Sequence, residues 1–317
     1  MEFADDTIKK LDGGPATHPG FLGLPPEFSA PERARFVVIP VPFEETTSYG
    51  KGAARGPGAI IEASHQVELH DVEIAAEAFR EGIHTDTALL DDTPTGERIV
   101  GAVEEVVGKW LDAGKPHRGK LPVVLGGEHT VSVGAIRAAA ARAAAVADGL
   151  TVVQLDAHAD LRDSYGGSPL SHACAMRRAL EGPPRPGRLV QVGVRSMCPE
   201  EIRFAAGRDD IKTFLAGDFL SGKATREEIL SAIGPRVYLT IDMDVFDPSE
   251  APAVGTPEPG GLRWADVAGL IEGIANAAEV VGVDVVELAP IPGLKAPEFF
   301  AAKLIYRILG LIHKSGK

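Results

Sequence analysis

Residues 151–160 read Thr151-Val152-Val153-Gln154-Leu155-Asp156-Ala157-His158-Ala159-Asp160, and the change of character at position 156 decides the fold. The first five residues are a short, β-branched and mostly apolar run, the pattern of a buried β-strand. In extended chain, residues i, i+2 and i+4 point to one face. If the extension continues, Asp156, His158 and Asp160 converge on one side with small alanines between them. Two carboxylates and an imidazole at the edge of a core are costly without partners, because a buried unpaired charge costs several kcal/mol or gives up its ionisation. A bound cation removes that conflict.

Two other stretches repeat the pattern. Val237-Tyr238-Leu239-Thr240-Ile241 reads as a buried strand and ends in Asp242-Met243-Asp244, again carboxylates at i and i+2. Leu121-Pro122-Val123-Val124-Leu125 breaks at Gly126-Gly127 and is followed by Glu128-His129. Taken singly, Asp-x-Asp is also a turn or helix cap, and Gly-Gly an ordinary turn. Taken together, three strands each deliver metal-type ligands just past their C-terminal ends. In open α/β sheets, that edge is where ligands bind.

The remaining sequence is consistent with such a sheet. A chain of 317 residues, 44% hydrophobic, is long enough for one large α/β domain. A formal net charge of -13 argues against nucleic acid and anionic membranes as partners. Two cysteines, Cys174 and Cys198, form no Cys-x-x-Cys pair, which excludes a disulfide scaffold or a cysteine-built zinc site and points to a reducing, cytoplasmic setting. The N-terminus lacks the basic start and apolar run of a signal peptide, and no apolar stretch reaches the roughly 18 residues that span a bilayer.

In chain order, residues 1–34 are rich in Pro and Gly and read as an arm packed over the surface or onto a neighbouring subunit. Residues 35–317 read as a single domain. A first strand is expected at 36–39. The loop 43–56 contains Thr46-Thr47-Ser48-Tyr49-Gly50-Lys51-Gly52, which lacks the order of a phosphate-binding loop. Helices are expected at 58–67, 97–113, 131–147, 172–180 (with Ser171 as N-cap), 199–206, 226–233, 264–275 and 297–312. Further strands are expected at 188–194, around Thr213-Phe214 and at 280–286. His65 and His70, five apart, read as structural or exposed. Strands alternating with helices predict a three-layer α/β/α fold around a parallel sheet.

The candidate ligands are therefore His129, Asp156, His158, Asp160, Asp242 and Asp244. Six exceed the three protein ligands usual at a catalytic zinc. They suit two divalent cations with bridging carboxylates, and an oxygen-rich set with some imidazole favours Mn²⁺. Two close metals can share a water and lower its pKa, so the class implied is metal-assisted hydrolysis.

Gly126-Gly127-Glu128-His129-Thr130, Asp156-Ala157-His158-Ala159-Asp160, Ser171-His172 and Asp242-Met243-Asp244-Val245-Phe246-Asp247-Pro248, in this order, resemble the ureohydrolase (arginase/agmatinase) family. The resemblance extends through Gly255-Thr256-Pro257-Glu258-Pro259-Gly260-Gly261 and Val285-Val286-Glu287-Leu288-Ala289-Pro290, covering roughly residues 35–315. It implies a parallel sheet of about eight strands and two Mn²⁺ per chain. One metal would take His129, Asp156, Asp160 and Asp242, the other Asp156, His158, Asp242 and Asp244. A metal-activated water would attack a guanidinium carbon, releasing urea and an amine. Asp160 would pass a proton to the leaving nitrogen, His172 would relay protons and Glu287 would pair with the guanidinium. Residues 42–52 and 255–261 look more like agmatinase than arginase, which implies agmatine, hydrolysed to putrescine and urea. Arg162, in the loop after Asp160, either meets a substrate carboxylate, as in 4-guanidinobutyrate, or pairs with Asp163. Glu128 either orients ligands or faces solvent, Asp247 is a candidate turn residue and Cys174 a structural one. A non-catalytic binding relative and a single-zinc deacetylase on a related fold are the other classes. The resemblance also implies a homo-oligomer, a trimer or hexamer.

Overall fold

The structure, a computed structural model, describes residues 19–113, 119–144 and 149–317. Among them, eight strands form one sheet: β1 (Phe36–Val41), β2 (Ile83–Thr85), β3 (Leu121–Gly126), β4 (Thr151–Leu155), β5 (Arg188–Val194), β6 (Ile211–Leu215), β7 (Arg236–Asp242) and β8 (Glu279–Val286). Their order is β2-β1-β3-β8-β7-β4-β5-β6, and every pairing is parallel. The inner strands are buried along nearly their whole length, as a sheet covered on both faces requires.

Alternate residues of one strand enter different cores. Phe36 and Val38 join a cluster with Ile60, Leu270, Ile271, Leu304 and Ile305. Val37, Ile39 and Val41 join a second cluster with Val103, Val107, Ile136 and Met176. The first face is covered by α1 (Gly56–Ser64), α6 (Arg226–Ala232), α7 (Trp264–Ala277) and α8 (Ala296–Ser315), the second by α2 (Arg98–Asp112), α3 (Ser132–Ala143) and α4 (Ala175–Leu180). A further helix, α5 (Pro199–Ala206), follows β5. The expected three-layer α/β/α fold with about eight strands is therefore observed. At Gly134 in α3, a Cβ would lie 2.3 Å from the Val100 carbonyl oxygen of α2, so only glycine lets these two helices pack so closely.

Most helix and strand expectations hold to within a few residues. The stretch after Ser171 differs. Residues 172–174 form a 3-10 turn, α4 starts only at Ala175, and the Ser171 side chain caps nothing. Residues 145–147 of the expected long helix lie outside the described residues, as do residues 1–18 of the expected arm. Residues 19–34 pack on this chain's own edge. Phe21, Leu22, Leu24 and Phe28 are buried, Leu22 N donates to Ser64 Oγ at 2.7 Å, and Phe28 meets Phe79 edge-on. His65 is structural, its Nε2 lying 2.9 Å from the Gly20 carbonyl. Among the described residues no helix is long and apolar enough to cross a membrane.

Candidate metal centre

The register brings four strand ends level. Leu125, Val285, Ile241 and Leu155 form one row across β3, β8, β7 and β4. The residues just beyond that row build the site. After β3 the chain turns through Gly127, where a Cβ would lie 2.0 Å from the Phe43 carbonyl oxygen, and presents Glu128 and His129. β7 presents Asp242 and then Asp244, β4 presents Asp156 and β8 is followed by Glu287.

The sequence ligands come together, though not by continued extension. Extended pairing of β4 ends at Leu155, and Asp160 has a left-handed backbone with φ of 53°. Glu287 is left-handed too, at 65°. Such backbones cost non-glycine residues energy and gather where surrounding structure imposes them. For Glu287 the imposing contacts are its N–H to the Gly127 carbonyl and its Oε1, which accepts from His129 N, both at 2.7 Å.

His129 Nδ1 lies 2.9 Å from Asp160 Oδ2, 3.2 Å from Asp156 Oδ2 and 3.6 Å from Asp242 Oδ2. His158 Nδ1 lies 2.9 Å from Asp244 Oδ2 and 3.7 Å from Asp156 Oδ1. Two sets have donor atoms within 4.8 Å of one another: His129, Asp156 and Asp242, and Asp156, His158 and Asp244. Asp156 is common to both. Asp242 falls only in the first, and Asp160 in neither, although it touches His129.

The ligands are held from behind by polar groups that the sequence reading did not single out. His129 Nε2 lies 2.9 Å from Thr240 Oγ1, and Thr240 donates its own proton to Asp284 at 2.6 Å. The imidazole must therefore be the donor at Nε2, which turns Nδ1 towards the three carboxylates. That buried nitrogen has no well-formed hydrogen bond. Positive charge between it and the carboxylates resolves the arrangement, and a divalent cation fits the donor set. On the other flank a buried ladder crosses three strands. Thr213 Oγ1 donates to Gln191, Gln191 Nε2 to Gln154, and Gln154 Nε2 to Asp156 Oδ2 at 2.6 Å. Gln154, the one polar residue inside an otherwise apolar strand end, was the visible signal.

The electrostatics show the same demand for positive charge. Burial, and then the charges of Asp244 and Asp160, push the Asp156 carboxyl up to about 7. Burial also raises Asp242 and Glu287 well above the usual carboxylate range. Burial would lower His158, but its hydrogen bond to Asp244 and the charges of Asp244, Asp156 and Asp160 together outweigh this and raise it to about 10. Without cations the cluster takes up protons instead.

The cluster floors a cavity of about 150 Å³, whose walls include Thr47–Gly50, Arg162, Tyr165, His172, Thr256 and Glu287. Gly50 N donates to the Gly255 carbonyl at 3.0 Å and joins two of the wall loops. Glu128 is fully buried, so it does not face solvent. It accepts from Glu45 N, Thr46 N, Thr46 Oγ1 and Thr130 Oγ1, and so anchors the 45–46 loop rather than a metal ligand. Asp163 pairs with Arg177 and Arg178, not with Arg162. Arg162 lies over the Tyr165 ring at 5.0 Å and reaches Glu201 only at 4.0 Å. Asp247 is a turn residue, accepting from Ser249, Gly260 and Gly261. Cys174 is buried at the end of the 3-10 turn.

Fold and site together define a class: a parallel α/β protein with a His/Asp metal-binding cluster at the carboxyl edge of its sheet. Comparison with known proteins narrows it. The model of the arginase family matches residues 34–310. The chain is 38% identical to the N(1)-aminopropylagmatine ureohydrolase of Synechocystis, over 87% of this chain and 89% of that one. It is 35% identical to the agmatinase of Bacillus anthracis, over 86% and 88%. The solved agmatine ureohydrolase of Thermoplasma volcanium superposes with a TM-score of 0.75 at 31% identity, covering 90% of this chain and 92% of that one. The chain belongs to the arginase family, and it is an amidinohydrolase of the ureohydrolase type.

Proposed function

We propose that the protein hydrolyses agmatine to putrescine and urea with two Mn²⁺ held by His129, Asp156, His158, Asp160, Asp242 and Asp244. The observation that carries this reading is the cavity itself, a narrow space floored by carboxylates and walled by Glu287 and His172. Two divalent cations there would supply a water of lowered pKa as the nucleophile. His129, Asp156, Asp160 and Asp242 would hold one ion, and Asp156, His158, Asp242 and Asp244 the other. The Mn²⁺ assignment rests on the mixture of carboxylate oxygen and imidazole.

Glu287 binds the guanidinium. Its Oε1 is engaged by His129 N, and its other oxygen is left to accept from the planar cation. Asp160 hands a proton to the leaving nitrogen, and His172 exchanges protons between that nitrogen and solvent. These roles rest on position around the cavity and on the family motifs.

The relatives' names divide between agmatine and its aminopropyl derivative. Both compounds share the guanidinobutyl half and differ beyond the distal amine. A second reading is carried by Arg162. It lines the cavity, is free of Asp163 and could meet a carboxylate such as that of 4-guanidinobutyrate. Urea release from agmatine, aminopropylagmatine, 4-guanidinobutyrate and arginine, measured side by side on Mn²⁺-loaded protein, decides. Preference for agmatine supports the proposal. Preference for the aminopropyl compound or the carboxylate replaces the substrate, and no urea from a chain holding two metals overturns the reaction.

The proposal includes a homo-oligomer of three or six chains, supported by exposed Ile291, Leu294 and Phe299 in one segment. It also includes a cytoplasmic setting, supported by two free cysteines. Light scattering tests the first and fractionation the second.

A further inference from the structure

Thr46 lies in a loop that reaches the site from the end of β1, and its hydroxyl is fully committed. It donates to Glu128 Oε1 at 2.7 Å. It accepts from His172 N at 3.0 Å, and His172 Nδ1 also lies 3.0 Å away. A threonine hydroxyl has one proton and two lone pairs. Glu128 can take only the role of acceptor here. Its two oxygens already receive Glu45 N, Thr46 N, Thr130 Oγ1 and Thr46 Oγ1. The Thr46 proton therefore points at Glu128, and both of its lone pairs point at His172. A bare Nδ1 would set lone pair against lone pair, so Nδ1 carries a proton and donates it to Thr46. Ser171 Oγ, at 3.3 Å from the same nitrogen, is a longer and weaker partner.

The consequence appears at the other ring nitrogen. With the neutral ring's proton held on Nδ1, Nε2 is an acceptor, and it belongs to a ring that lines the cavity. Tyr165 packs edge-on against the same ring, with centroids 5.7 Å apart, which limits its rotation. We infer that Thr46, oriented by Glu128, is a positioning residue that fixes the tautomer and direction of His172 and so makes Nε2 the proton-exchanging atom. This rests on the reading of His172 as the proton relay. It gives Glu128 a task that differs from that of its neighbour His129: it acts on the relay through Thr46, not on the metals.

The bland alternative is that Thr46 only ties the 45–48 loop to the rest of the protein. The test separates the two with Thr46→Val, Thr46→Ser and His172→Asn in the Mn²⁺-loaded full chain. Each is read by kcat and KM for urea release from the preferred guanidine, by metals per chain and by melting temperature. Valine keeps the shape and removes the hydroxyl; serine restores the hydroxyl. The expected result is a kcat about 10- to 100-fold lower in Thr46→Val, a part of what acid–base catalysis contributes. KM stays within about twofold, metal content is unchanged, and Thr46→Ser recovers most of kcat. Wild-type kcat in Thr46→Val, or a loss that serine does not restore, overturns the inference. So does a change carried by KM or metal content, because a merely structural loop would give that. If His172→Asn keeps full kcat, the relay reading itself fails. If His172→Asn is inactive and Thr46→Val is not, only the role of Thr46 fails.

Discussion

His129 and His158 approach the same carboxylate, Asp156, from opposite sides, yet one side chain is 1% exposed and the other 26%. The His129 side is closed. Its ring is locked by Thr240, Asp284 and the Tyr238 hydroxyl, which also donates to Asp284. The His158 side opens on the cavity, and beyond its Nε2 lies Glu258, at 3.7 Å and itself partly exposed. One half of the cluster is therefore built into the core and the other into the wall of the cavity. An ion held on the His129 side would be the more enclosed, and one held beside His158 would face the cavity and exchange more readily.

Four results would break or sharpen this contrast. The largest effect is expected at the shared ligand. Asp156→Asn should abolish paired metal binding and lower urea release by more than about 10³-fold, since the charge that both ions share is gone. Two ions per chain in that variant would end the description of a common carboxylate. Next, a chelator should strip the wild-type protein in two phases, with activity lost in the faster one; a single phase would mean that the two halves are equivalent. Thr240→Val should then weaken metal binding about 10- to 100-fold, the usual cost of losing a group that orients a ligand, and only in the slow phase. Glu258→Gln should cost less than about tenfold, in the fast phase.

A control lies far from both halves. Asp71 receives two hydrogen bonds from Arg307 of α8, with Lys303 nearby. Burial pushes the Asp71 carboxyl up, but these partners outweigh it and leave it below its ordinary value of 3.8. A pKa lowered by folding stabilises the protein above the unfolded value, and that contribution is lost as pH falls through the folded one. Asp71→Asn should leave metal content untouched and lower the melting temperature by roughly 5 °C at pH 7. The gap from wild type should narrow below about pH 4.

The contrast also marks what a sequence makes legible. The six candidate ligands could be read because each stands at the end of an apolar strand or within five residues past it, where a carboxylate or imidazole conflicts with its surroundings. The strands themselves could be read because both faces of the sheet are buried. β2 was missed: three residues at an edge carry no usable period. The groups that lock the ligands were missed for another reason. Thr240 and Asp284 sit inside strands as ordinary alternating residues, 44 positions apart, and only the β7–β8 pairing joins them. Thr46 and Glu128 are 82 positions apart. The late start of α4 has the same origin, since the backbone N–H of His172 is taken by Thr46 and not by a helix cap.

β8 lies between β3 and β7 and alone joins the β2-β1-β3 part of the sheet to the β7-β4-β5-β6 part. It is also the last of the eight strands in sequence among the described residues. When a growing polypeptide has exposed His129, Asp156 and Asp244 but not β8, the two parts have no strand between them, and the candidate ligands stand on separate parts of the sheet. Without residues 279–286 the sheet is not continuous, and their pairing with β3 spans a sequence separation of the kind that slows folding. The candidate ligands are thus joined by a strand that comes after all of them in sequence, and a chain cut short before residue 279 would carry them on two separate half-sheets.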